Sequence, residues 1–159
     1  MKEAIKFLLP IFVGFVIVHV VLILYGIYAH AGDLPGLIPE TVNETVSMSR
    51  ETGWMLVVGT MLLAYSQGGG TYTGLEAVSN NVNTLKEPRV RTGKWTMFYM
   101  AASLAFTAGG ILLLYMLWGV VKEPGQTLNA VVFRDIINHF DLGGPAVNRA
   151  ALFTVLALE

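Results

Sequence analysis

Charged residues along this chain bracket three long apolar runs. No Asp, Glu, Lys or Arg occurs within Phe7–Ala29, Thr52–Leu75 or Trp95–Val121. Each run exceeds the roughly 20 residues that a helix needs to cross about 30 Å of hydrocarbon. The pattern predicts three membrane-spanning helices rather than the buried helices of a soluble domain. The first run is too long for the apolar part of a cleaved signal sequence, and no small-residue cleavage pattern follows it before Asp33.

The second run carries its own interruption. An unbroken helix from Trp54 to Leu85 would be about 48 Å long, more than the roughly 40 to 45 Å of a bilayer with its headgroups. Near its middle stand Gly68, Gly69, Gly70 and Gly74, with Thr71 and Thr73 between them. Each glycine disfavours helix by about 1 kcal/mol relative to alanine. Two half-helices, Trp54 to Ser66 and Leu75 to Leu85, joined by a non-helical link over Gln67–Gly74, are therefore expected. Irregular backbone at membrane depth survives where it is buried in protein or lines a cavity. Half-helix ends meeting there would offer carbonyls to a cation and NH groups to an anion. Glycines that merely let helices pack closely are the simpler reading, but packing motifs place them four apart on one face, whereas a run points around the helix.

After Val121 the pattern changes. Thr127 can cap a short helix whose apolar stripe is Leu128, Val131, Val132, Ile136 and Phe140. Beyond Gly143, Gly144 and Pro145 the chain turns apolar again, and Arg149–Leu158 is too short to cross. The predicted layout is an inner segment 1–6, a first span 7–29, an outer loop 30–52, a broken second span 53–85, an inner loop 86–94, a third span 95–121, an outer loop with a short helix 122–145, and the start of a truncated fourth span 146–159. The whole reads as one part of a larger membrane domain.

Charge supplies the orientation. Lys2 and Lys6 precede the first span, and the second connection holds Lys86, Arg89, Arg91 and Lys94, whereas the first connection has Arg50 against Asp33, Glu40, Glu44 and Glu51. Lys and Arg mark the cytoplasmic side, so the N-terminus is expected inside, in a multi-pass protein of the plasma membrane. Composition agrees: 54% of residues are hydrophobic and 13% charged, against about 25% charged in a soluble domain. With no basic or acidic block, no nucleic-acid partner is expected. The absence of cysteine excludes disulfides, thiolate metal sites and a cysteine nucleophile.

Other polar positions are weighed one by one. His19, near mid-depth of the first span, is either a functional group or a hydrogen-bonding partner for a neighbouring helix. Ala101, Ala105 and Gly109 recur every fourth residue in the third span, with Gly110 adjacent, and predict a helix-packing surface. Glu76, just after the expected break, is a favourable charge for the second half-helix, a candidate proton-coupling carboxylate, or an interfacial residue. His19, His30 and His139 lie in separate elements, and neither metal-ligand spacing nor a nucleophile motif exists. No enzyme activity, metal or cofactor is expected.

The stretch Tyr72, Thr73, Gly74, Leu75, Glu76, Ala77 is similar to the aromatic, x, Gly, hydrophobic, acidic, small motif in the sixth segment of amino acid permeases. Those belong to the amino acid, polyamine and organocation (APC) transporter superfamily. Glu87, Pro88 and Arg89 resemble the acidic or Asn, Pro, basic signature of the following cytoplasmic connection, and segment order matches segments five to seven. The resemblance implies an all-α membrane protein, a fragment of the five-plus-five inverted-repeat (LeuT-like) fold with three transmembrane helices, the second discontinuous. It implies secondary active transport, most simply amino acid uptake or symport coupled to H+ or Na+. Gly68, Gly69, Gly70, Thr71, Tyr72, Thr73 and Gly74 would contribute to the central substrate site, completed by transporter segments missing from this chain. Some family members place an aromatic gate where this chain has Gly70. Glycine there opens space, and nearby threonine hydroxyls can act as oxygen ligands, so a potassium or other inorganic cation importer of the same superfamily is an alternative. A non-transporting structural or regulatory membrane subunit is another, but it has no need of the glycine run.

Overall fold

The computed structural model describes the backbone of residues 2–158, and the side chains of these except 2–5, 7, 71–73 and 75. The described residues form helices and connections, without strands. In chain order they are α1 (Lys2–Ala29), α2 (Leu34–Thr52), α3 (Trp54–Gly68), a short 3-10 segment (Gly69–Tyr72), α4 (Thr73–Asn80), a 3-10 turn (Val82–Thr84), α5 (Arg89–Leu117), α6 (Leu128–Phe140) and α7 (Pro145–Leu158).

Two of these helices have the length and apolar character to cross a membrane, Leu8–Ala29 within α1 and Arg89–Leu117. The core helix of a soluble protein would be mostly buried, yet only 17% and 11% of their most apolar windows are. Large side chains such as Leu9, Phe12, Val21 and Leu24 on α1 stand open. Hydrocarbon or further protein is the environment such surfaces need.

The chain divides into two compact units. The first takes residues up to Leu34 and from Thr107 onward, so it combines α1, the second half of α5, α6 and α7. Its core joins Leu22 and Ile23 of α1, Leu114 of α5, Val132, Phe133, Ile136 and Ile137 of α6, and Val155 of α7. The short helix expected within 122–145 is the centre of this unit: Phe133 and Val132 are fully buried. Thr127 caps α6 as its sequence implies, its hydroxyl oxygen accepting from Ala130 N at 3.1 Å. Its guanidinium-bearing residue, Arg134, donates to both oxygens of Glu123 at 2.7 and 2.8 Å. That pairing holds the Glu123 carboxyl below its usual range and raises Arg134 further.

Between α6 and α7 the backbone reverses through Gly143 (φ 126°) and Gly144 (φ 107°), values that L side chains rarely adopt. Pro145 then opens α7, where its missing NH costs nothing. The buried Asn148 side chain accepts from Leu142 N at 3.0 Å and closes the turn.

Helices α1 and α5 approach through two glycines. A Cβ on Gly110 would stand 2.7 Å from Ile23 Cγ2, and one on Gly26 2.5 Å from Leu114 Cδ2. The expected packing surface is therefore displaced by one residue: Ala101, Ala105 and Gly109 are exposed, and the adjacent Gly110 makes the contact. A rotation of about 100° per residue separates the two faces.

The second unit comprises Pro35–Phe106. Here α2 is a difference from expectation, since 30–52 reads as a loop. Pro35 sits where a helix begins and tolerates a missing NH, and Leu37, Thr41 and Thr45 recur every fourth residue, the two threonine hydroxyls donating back to Leu37 O and Thr41 O. Gly53 (φ 85°) then separates α2 from α3. Helix α5 begins at Arg89 rather than at 95, so most of the expected inner loop is helical, and Gly93 packs against Leu85.

Candidate functional site

Helix α3 spans Trp54–Gly68, about 22 Å at 1.5 Å per residue and too short to cross alone. Its α-helical bonding ends in the glycine run. Gly69, with φ −59° and ψ −30°, donates to Ser66 O, and the 3-10 segment Gly69–Tyr72 leads into α4 at Thr73. The two-helix division is present, but the joint differs from the non-helical link expected over Gln67–Gly74. It is a tightened turn that keeps the helical sense, so its carbonyls are still largely directed along the chain.

What surrounds each residue separates their roles. A Cβ at Gly68, Gly69 or Gly70 would meet nothing within 4 Å, so none of the three is required for close packing within the described structure. A Cβ at Gly74 would lie 2.9 Å from Met100 Cε of α5, the end of a flexible side chain that can move aside. The side chains of Thr71, Tyr72 and Thr73 lie outside the described residues. Glu76 is exposed in the first turn of α4, where the helix dipole favours a carboxylate. Glu87 and Arg89 flank Pro88 and form an exposed ion pair at 3.4 Å, which in solvent contributes little. Beside it Pro88, Arg91, Thr92, Trp95, Thr96 and Tyr99 line a shallow hollow at the start of α5.

In the first unit, an apolar groove of about 210 Å3 runs between α1, α6 and α7, lined by Val21, Tyr25, Ile137, Phe140 and Val155 among others. His19 is buried within α1, its Nδ1 2.8 Å from Phe15 O, and it meets the Phe133 ring edge-on at 5.4 Å. That hydrogen bond stays within α1, and it is the ring contact with Phe133 that packs His19 against α6.

The structure also gathers residues that linear spacing keeps apart. His30, just beyond α1, and His139 of α6 have ring centroids 6.3 Å apart. The Trp118 ring lies 4.4 Å from His30 and edge-on to His139 at 5.5 Å. Tyr25 Oη and His139 Nδ1 are 3.0 Å apart. Trp118 Nε1 donates to Gly26 O at 3.2 Å, which fixes the indole against α1. His30 and His139 lie in separate elements along the chain but stand close together in space. No local motif signals it.

No protein-family model matches the chain, and no solved structure matches it. Among curated proteins it is similar to potassium transporter KimA of Bacillus subtilis (strain 168), with 30% identity over 114 residues. The match covers 72% of this chain and 18% of that protein, so the chain spans under a fifth of its relative's length. Apolar helices of spanning length and this similarity together point to a membrane protein related to a transporter.

Proposed function

We propose that the chain is part of a secondary active transporter of the APC type, non-enzymatic, carrying a small solute across the plasma membrane by alternating access. The observation that carries the reading is the interruption of an apolar segment at Gly69–Tyr72, in a chain similar to a potassium transporter. Among the described residues a Cβ at Gly68, Gly69 or Gly70 would meet nothing within 4 Å, so close packing there does not call for glycine. They leave room beside the backbone for a solute and for bending of α3 against α4.

An inorganic cation of the potassium class is the leading substrate. The cation reading rests on the similarity to KimA and on the oxygen-rich stretch Gly68–Gly74, whose threonine hydroxyls, with backbone carbonyls released as the joint bends, would be ligands of the type a hard cation takes. Amino acid uptake is the second reading, supported by the permease-like stretch Tyr72–Ala77. H+ or Na+ is the coupling ion in either case. Uptake by liposomes containing the complete protein, comparing rubidium with a panel of amino acids, decides between them. Rubidium accumulation competed by potassium supports the first, and saturable amino acid uptake without rubidium entry replaces it by the second.

A further inference from the structure

We propose that the start of α5 binds an anionic phospholipid, with Arg91 on the phosphate and the rings of Trp95 and Tyr99 against the glycerol and the first methylenes. The inference rests on the membrane reading of α5 and not on a solute path at the glycine run.

Three observations carry it. The first is uncompensated charge. Lys86, Arg89, Arg91 and Lys94 fall within nine residues against a single carboxylate, Glu87. Arg89 takes that carboxylate at 3.4 Å, and among the described residues no carboxylate pairs with Lys86, Arg91 or Lys94, all of them exposed. The second is shape. Arg91, Trp95 and Tyr99 recur every fourth residue and, with Pro88, Thr92 and Thr96, line one open hollow of about 360 Å3. The two rings stack with centroids 5.7 Å apart, yet they remain 49% and 64% exposed. Amphipathic rings open beside cations suit the headgroup level of a bilayer.

The third is order, and it selects a lipid over a protein or nucleic-acid partner. Charged, aromatic and then apolar side chains succeed one another along α5, where no Asp, Glu, Lys or Arg follows Lys94 until Lys122. At 1.5 Å per residue, Trp95 and Tyr99 stand about 6 and 12 Å beyond Arg91 along the axis. Phosphate, glycerol and acyl chain follow one another in a phospholipid in the same sequence. A guanidinium fork matches phosphate oxygens in pairs, and the neighbouring lysines favour a headgroup of net negative charge, such as phosphatidylglycerol, over a zwitterionic one.

The test is native mass spectrometry of the complete protein in an uncharged detergent, offered equal amounts of phosphatidylglycerol and phosphatidylcholine with the same acyl chains. Preferential retention of phosphatidylglycerol is expected, weakening as salt rises. R91Q should reduce phosphatidylglycerol affinity about fivefold, and R91Q/K94Q further. R50Q, which removes an exposed arginine of α2, should leave it unchanged. W95A should weaken retention and W95F restore it, which separates ring contact from bulk charge. Glycerol phosphate, the same anion without acyl chains, should compete only weakly. Helical circular dichroism and elution volume serve as the fold control for each variant. Equal retention of the two lipids by the wild-type protein overturns the proposal. So does a preference undiminished in R91Q/K94Q, an equal loss in R50Q, unchanged retention in W95A, or full competition by glycerol phosphate, which would make the site one for a soluble anion.

Discussion

A methyl group added at Gly110 would stand 2.7 Å from Ile23, whereas one at the neighbouring Gly109 would meet nothing within 4 Å. G110A should therefore destabilise the first unit by about 1 to 3 kcal/mol through overpacking. G109A should be neutral or stabilising by up to about 1 kcal/mol, as alanine favours helix over glycine. Unfolding in detergent measures both, and equal effects would contradict the placement of α5. The sequence reading finds the small residues but not which of them faces α1, because that depends on the rotation of α5 about its axis, set by packing and absent from local pattern.

Two carboxylates give further tests at this scale. Glu123 has its pKa lowered in the folded protein by hydrogen bonds from Arg134. A lowered folded value means a contribution to stability present above the unfolded carboxylate value, about 4.3, and lost as pH falls through the lower folded one. E123Q should thus lower the unfolding temperature at neutral pH and converge with wild type at the acid end of the scan. A gap that persists in acid would assign the effect to packing. For Glu76, a place in the first turn of α4 suits the helix-end role. E76Q should accordingly leave the pH profile of uptake unchanged, and a flattened profile would reinstate coupling.

At the scale of elements, legibility follows from how local the signal is. Helices α1, α5 and α6 follow from apolar runs, an amphipathic stripe and the Thr127 cap, which are properties of consecutive residues. Helix α2 is hidden because Pro35, Gly36 and Pro39 imitate a loop; Pro35 stands in the first turn, where a missing NH is tolerated, while Pro39 lies inside the helix. The division between α3 and α4 is legible in the glycines, but its 3-10 geometry is not, since glycine permits a break without choosing its form. G69A/G70A, stiffening this joint where no steric obstacle to a methyl exists, should reduce uptake while leaving membrane insertion intact. The paired cluster of His30, Trp118 and His139 is the least legible element of all, because it arises only when α1, α5 and α6 share a core.

At the scale of the whole molecule, much apolar surface remains open, including Met55, Leu62 and Leu63 on α3 and Leu8, Leu9 and Phe12 on α1. A chain spanning under a fifth of its transporter relative has such surfaces where lipid and further segments would cover them. The apolar runs made a membrane environment readable. The substrate was not, because on the proposed reading one run of glycines and threonines would suit an ammonium group or a bare cation alike. The most direct measurement is rubidium influx into liposomes containing the complete protein, wild type against G69A/G70A at matched insertion. Saturable influx, competed by potassium and reduced at least tenfold in the variant, is the expected result. Equal influx through both proteins would contradict a solute path at Gly69–Tyr72.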